Sequence, residues 1–143
     1  MSNSTGYGQS FATRLLAQGR EAEALVEAEK AVAREPEAPE PVVDRAQVHL
    51  AMERFAEGIA DLERALVLDR AAPALDDGLF DDLLFTSLLA WAQKVAPRDL
   101  AEATRILARY GVILPAGSHA KDAADWTRRL RGELTTTSWT KTR

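Results

Sequence analysis

The chain contains no cysteine. Disulfides, thiolate nucleophiles and cysteine-bound metals are therefore outside its chemistry. Aromatic residues supply only 6% of the 143 positions, against 46% apolar residues in all. The core must then be filled mainly by alanine and leucine, and alanine is both the best helix former and the residue that lets two helices approach closely. Six prolines and eight glycines leave room for long helices. No apolar run approaches the roughly 18 residues that span a bilayer. The N-terminal MSNSTGYGQS is polar and has no apolar signal core, so the expectation is a soluble cytoplasmic protein with no membrane partner. The formal net charge of −4 lacks the basic excess of a protein that works on nucleic acid, and no nucleic-acid partner is expected. The phosphate loop GxxxxGK[ST], the dinucleotide turn GxGxxG and the nucleophile elbow GxSxG are all missing.

What the sequence has is a repeat. Residues 9–40 slide onto 43–74 at an offset of 34, with ten identities. Ala12/Ala46, Leu16/Leu50, Ala17/Ala51, Arg20/Arg54 and Ala22/Ala56 are five of them; Glu23/Glu57, Glu29/Glu63, Ala31/Ala65, Ala38/Ala72 and Pro39/Pro73 are the others. A 34-residue period is the length of a helix–turn–helix unit that stacks on its neighbours. The apolar spacing predicts helices over about 8–18, 21–35, 40–52 and 55–69, with Gly19 closing the first. The period then breaks. A helix over about 77–96 carries apolar residues on more than one stripe, including Phe80, Leu84 and Leu88, and is predicted to be contacted on several sides. A helix over 99–110 follows, closed by Gly111. Ala103 takes the place of Ala24 and Gly58 but lies 45 residues beyond Gly58, so about 11 residues have been added. A last helix, 118–134, has Ser118 as its predicted N-cap and Ala123, Ala124, Trp126 and Leu130 as its apolar stripe. Residues 1–7 and 135–143 are expected to be flexible.

The two hairpins resemble the tetratricopeptide repeat, which reads W-x2-L-G-x2-Y in its first helix and A-x3-F, A and P in its second. The first copy supplies Gly8, Phe11, Ala12 and Leu15, then Ala24, Ala28, Ala31 and Pro36; the second supplies Val42, Arg45, Ala46 and His49, then Gly58, Leu62, Ala65 and Arg70. Neither copy has the leading tryptophan, Arg45 stands where the family is apolar, and Arg70 replaces the closing proline. The resemblance implies an all-α solenoid of about three repeats (8–38, 39–72 and 75–111) ended by a capping helix. It also implies a concave groove that binds a protein or peptide segment, here at Gln9, Thr13, Leu16, Val43, Asp44, Gln47 and Leu50. Some members clamp a terminal carboxylate with cationic groove residues. Gln9, Thr13 and Asp44 stand at three such positions and none is cationic, so that ligand is disfavoured.

Other constellations have simpler explanations. Asp76, Asp77, Asp81 and Asp82 are expected to cap the start of the fifth helix, since their spacing is not that of an EF-hand. His49 is expected to be packed with one hydrogen bond and His119 to be exposed; the carboxylates one helical turn away are Glu53 and Asp122, too few for zinc. Catalysis by either histidine would need an activated nucleophile or a metal, and no motif in the sequence supplies one, so no enzyme, no metal and no cofactor is expected. Arg128, Arg129, Arg131, Lys141 and Arg143 are read as a solvated basic end. The expected function is a non-catalytic interaction module. The alternative is an assembly protein that forms a homodimer or docks on a larger complex through Phe80, Leu84 and Leu88.

Overall fold

A computed structural model describes residues 10–135. Among the described residues there are seven α-helices and no strand, as an all-α chain requires. They are α1 (Phe11–Ala17), α2 (Glu21–Arg34), α3 (Pro39–Ala51), α4 (Phe55–Ala71), α5 (Asp77–Val95), α6 (Leu100–Ile113) and α7 (Ala120–Thr135). The leader expected at 1–7 and nearly all of the tail expected at 135–143 lie outside the described residues. The chain divides into two compact units at Asp76/Asp77, which is where the 34-residue period ends.

In the first unit, α1 starts at Phe11 because Ser10 is extended and its hydroxyl accepts the Thr13 N–H. Proline opens α3, a first-turn position where its missing N–H goes unneeded. Three-residue links turn α1 into α2 and α3 into α4, so each pair runs antiparallel. The two links have the same backbone geometry, 34 residues apart. Gln18 and Met52 lie at φ/ψ of −87°/3° and −86°/7°, and Arg20 and Arg54 at −95°/68° and −91°/72°. Between them Gly19 and Glu53 take φ of +79° and +59°. Hydrogen bonds repeat in step: Arg20 N–H donates to Leu15 and Arg54 N–H to His49, then Ala24 to Arg20 and Gly58 to Arg54. The left-handed residue suits glycine; glutamate bears it at about 1 kcal/mol.

Small residues bring these helices together. Ala12, Leu15, Ala24, Ala28 and Val48 form a buried cluster, with Leu16, Leu25 and Met52 packed on its edge. Gly58 occupies the place of Ala24, and a Cβ there would come 2.6 Å from the Leu50 side chain. Close approach explains why both positions are small.

The second unit is built on α5, against which α6 and α7 both pack. Its breadth of apolar residues is used accordingly: Phe80, Leu84, Phe85, Leu88, Ala92 and Val95 are buried. Phe80 is 3% exposed and Leu84 and Leu88 0%. These three residues are core, which corrects their expected place on an assembly surface. From α6, Ala103, Ile106, Leu107 and Tyr110 are buried, and from α7 Leu130. The α5–α6 link has no left-handed residue; Asp99 caps α6 by accepting the Glu102 N–H. Gly111 does not end α6, which runs on to Ile113 before Pro115. One glycine costs a helix only about 1 kcal/mol, and the fully buried Tyr110 beside it fixes the backbone.

Candidate functional site

Three polar arrangements stand out against the alanine- and leucine-filled interior. The first lies between the start of α1 and α3. Asp44 is only 8% exposed, and its carboxylate accepts a hydrogen bond from the Ser10 hydroxyl. Burial pushes this carboxyl up to about 6, with Ser10 opposing and Glu40 adding repulsion. One turn along the same face of α3 is Gln47, whose Oε1 is buried without a hydrogen-bond partner. Thr13, half-buried, completes the edge; its hydroxyl donates to the Ser10 carbonyl and lies 3.0 Å from the Ser10 hydroxyl. The face thus holds two acceptors: Asp44, charged at neutral pH and bonded by the Ser10 hydroxyl, and the idle Oε1 of Gln47.

That arrangement weakens the fold as pH rises. Asp44 binds its proton more tightly in the folded than in the unfolded chain. Its contribution is therefore fully present below 3.8 and lost as pH climbs to about 6. Asp44→Asn keeps an acceptor for Ser10 and removes the charge. The variant is expected to gain up to about 3 kcal/mol on wild type between pH 4 and 8, measured by urea denaturation across that range. Parallel stability curves for the two proteins would contradict the account.

The second arrangement joins α3 to α4. Asp61, 6% exposed, accepts Arg45 Nη2–H at 2.8 Å and Arg45 Nε–H at 3.2 Å, and its other oxygen lies 2.8 Å from His49 Nδ1. Arg45 and Asp61 are equally far from Glu53 in the turn, so an antiparallel hairpin brings them level. His49 is packed and hydrogen-bonded as expected, but its partner is Asp61 and not Glu53.

The third ties the α6–α7 loop to α5. Asp81 accepts the Tyr110 hydroxyl at 2.5 Å and the Ser118 N–H and hydroxyl at 2.8 and 3.0 Å. Burial acts to raise its carboxyl, but these donors and nearby His119 outweigh it and hold it below the usual range. The Tyr110 phenol is pushed up to about 12 by burial and by Asp81, and it also accepts the His119 N–H. A Cβ on Gly117 would overlap the Tyr110 hydroxyl, so this loop needs glycine. Ser118 was expected to cap α7; its hydroxyl is instead spent on Asp81. Asp81 and Asp82 likewise do not simply solvate the start of α5: the first is buried and the second meets His119. His119 is half-buried against Phe85 and not exposed.

Of the seven groove residues expected from sequence, Gln9 lies outside the described residues. Thr13, Asp44 and Gln47 come together on the α1/α3 face. Leu16 packs at the edge of the core cluster, and Leu50 lies over Gly58. Val43 is 0% exposed and belongs to the interior, because a helix position beside Val42 and Ala46 faces the packed side of α3. Ser10 was missed; its place directly before a helical apolar pattern was the available signal. Among the described residues no group of three or more His, Cys, Asp or Glu side chains is arranged so that it could hold a metal ion, and no described helix is long and apolar enough to cross a membrane. At the C-terminal end, Arg128 and Lys121 pair with Asp125, and Arg129 stacks on Trp126. No family model and no curated protein matches the chain.

Proposed function

We propose that the protein is a non-catalytic protein-interaction module, a short stack of tetratricopeptide-like hairpins that holds a partner segment against the α1/α3 face. The observation that carries this reading is the pairing of a buried carboxylate, Asp44, with the unpartnered Oε1 of Gln47 on one face of α3. Buried acceptors without donors are costly, by about 1–3 kcal/mol each, and such costs concentrate where a ligand completes the set. The repeat supports the architecture through its two superimposable turns. A donor-rich segment suits the site: backbone amides of an extended peptide, or a lysine or arginine side chain opposite Asp44. Where hydroxyl, imidazole and carboxylate do come close, Ser118 donates to Asp81 and not to His119, so no imidazole is aimed at the hydroxyl.

Peptides selected from a displayed random library test the reading. The selected sequences are expected to share a basic or amide-bearing residue and to bind the Asp44→Asn/Gln47→Ala variant at least tenfold more weakly in fluorescence polarisation. Circular dichroism should show equal helicity for the two proteins. Equal binding by wild type and variant would remove the site from this face.

A further inference from the structure

His119 stands immediately before α7, and its carbonyl accepts the Ala123 N–H at 2.8 Å. Its ring lies flat on Phe85, with centroids 4.5 Å apart and planes within 6°. Stacking leaves the two ring nitrogens at the edges, and each meets a carboxylate. Nε2 is 2.7 Å from Asp82 Oδ1 and Nδ1 is 2.9 Å from Asp122 Oδ2. Ionised carboxylates can only accept, and a neutral imidazole has one N–H to give. Only the imidazolium can donate to both at once.

The geometry points to a proton-operated clamp on α7: protonated His119 ties Asp82 of α5 to Asp122 of α7, and loss of its proton breaks one of the two ties. The groups facing the ring are Asp81, Asp82 and Phe85 of α5, Tyr110 of α6 and Asp122 of α7. Asp81 adds negative charge without bonding the ring, because its oxygens are held by Tyr110 and Ser118. Hydrogen bonding to Asp82 first, and to Asp122 second, raises His119 from its ordinary 6.5, against a smaller opposing effect of burial. The sign follows from that direction. A base raised on folding contributes fully below 6.5, and the contribution is lost as pH rises through the folded value. The attachment of the α7 start is therefore graded by pH above 6.5, independently of the α1/α3 face.

The test is NMR on the full chain. The ring signals of His119, told apart from those of His49 with His119→Gln, are followed from pH 5 to 9. Hydrogen-exchange protection of the first-turn amides of α7 is measured over the same range and corrected for intrinsic exchange. Titration above 6.5 is expected, together with a fall in α7 protection across it that α2 amides do not share. In Asp82→Asn/Asp122→Asn the titration is expected to move back toward 6.5. Titration of wild type at or below 6.5, or α7 protection unchanged across the titration, would overturn the clamp, and both readings come from the wild-type protein alone.

Discussion

Asp81→Ala is expected to cost about 3–4 kcal/mol, measured by urea denaturation. The change removes the acceptor of three donors at once, of which the Tyr110 hydroxyl is fully buried. A buried polar group left without a partner costs about 1–3 kcal/mol, and the remaining loss comes from freeing the α6–α7 loop at Ser118. Tyr110→Phe removes one donor but leaves Asp81 its two bonds from Ser118, so it is expected to cost about 2 kcal/mol. The network also has a defined acid limit. Asp81 is held below 3.8, so its contribution is present above that value and is lost as pH falls through the folded one. The difference between wild type and Asp81→Ala should therefore shrink below pH 4. A loss under 1 kcal/mol at neutral pH would show that the loop is held by apolar packing alone.

Asp61→Ala is the second large effect, about 2–4 kcal/mol by the same measurement. It strands the Arg45 guanidinium, 27% exposed, and the His49 ring, 12% exposed, and breaking a partly buried ion pair from one side is strongly destabilising. The repeat itself supplies the control. Thirty-four residues earlier, the places of Arg45 and His49 are taken by Phe11 and Leu15. The variant Arg45→Phe/His49→Leu/Asp61→Leu replaces the whole network with apolar side chains and is expected to recover most of the loss, since apolar replacement of a buried ion network is often neutral or better. A triple variant as unstable as Asp61→Ala would mean that the network, and not its mere satisfaction, specifies the α3–α4 hairpin.

The sequence made some of this legible, and physics explains where it stopped. Period and composition sufficed for the helices of the first unit, because alanine spacing and the Arg20/Arg54 identity reflect one turn built twice. Glu53 hid the left-handed turn that Gly19 advertises. Helix ends moved where a tertiary contact outweighed a local signal: Gly111 sits inside α6 because Tyr110 anchors it. Polar partners were the least visible. His49 has Glu53 one turn away, yet the hairpin brings it Asp61; Ser118 has the sequence of an N-cap, yet Asp81, 37 residues earlier, takes its hydroxyl. The breadth of apolar residues on α5 was visible, but only the packing of α6 and α7 decided that Phe80, Leu84 and Leu88 are interior. On the α1/α3 face, repeat positions pointed to Thr13, Asp44 and Gln47. The unpartnered Gln47 oxygen and the Ser10 hydroxyl on Asp44 could be seen only with the helices in place.

Whether the α1/α3 face receives a partner segment is decided by a chemical-shift map. Backbone amides of the 15N-labelled chain are followed during titration with a library-selected peptide. Shifts centred on Thr13, Asp44 and Gln47 are expected, with the Gln47 side-chain amide among the largest. Shifts confined to α5–α7, or a chain that selects no peptide at all, would contradict it.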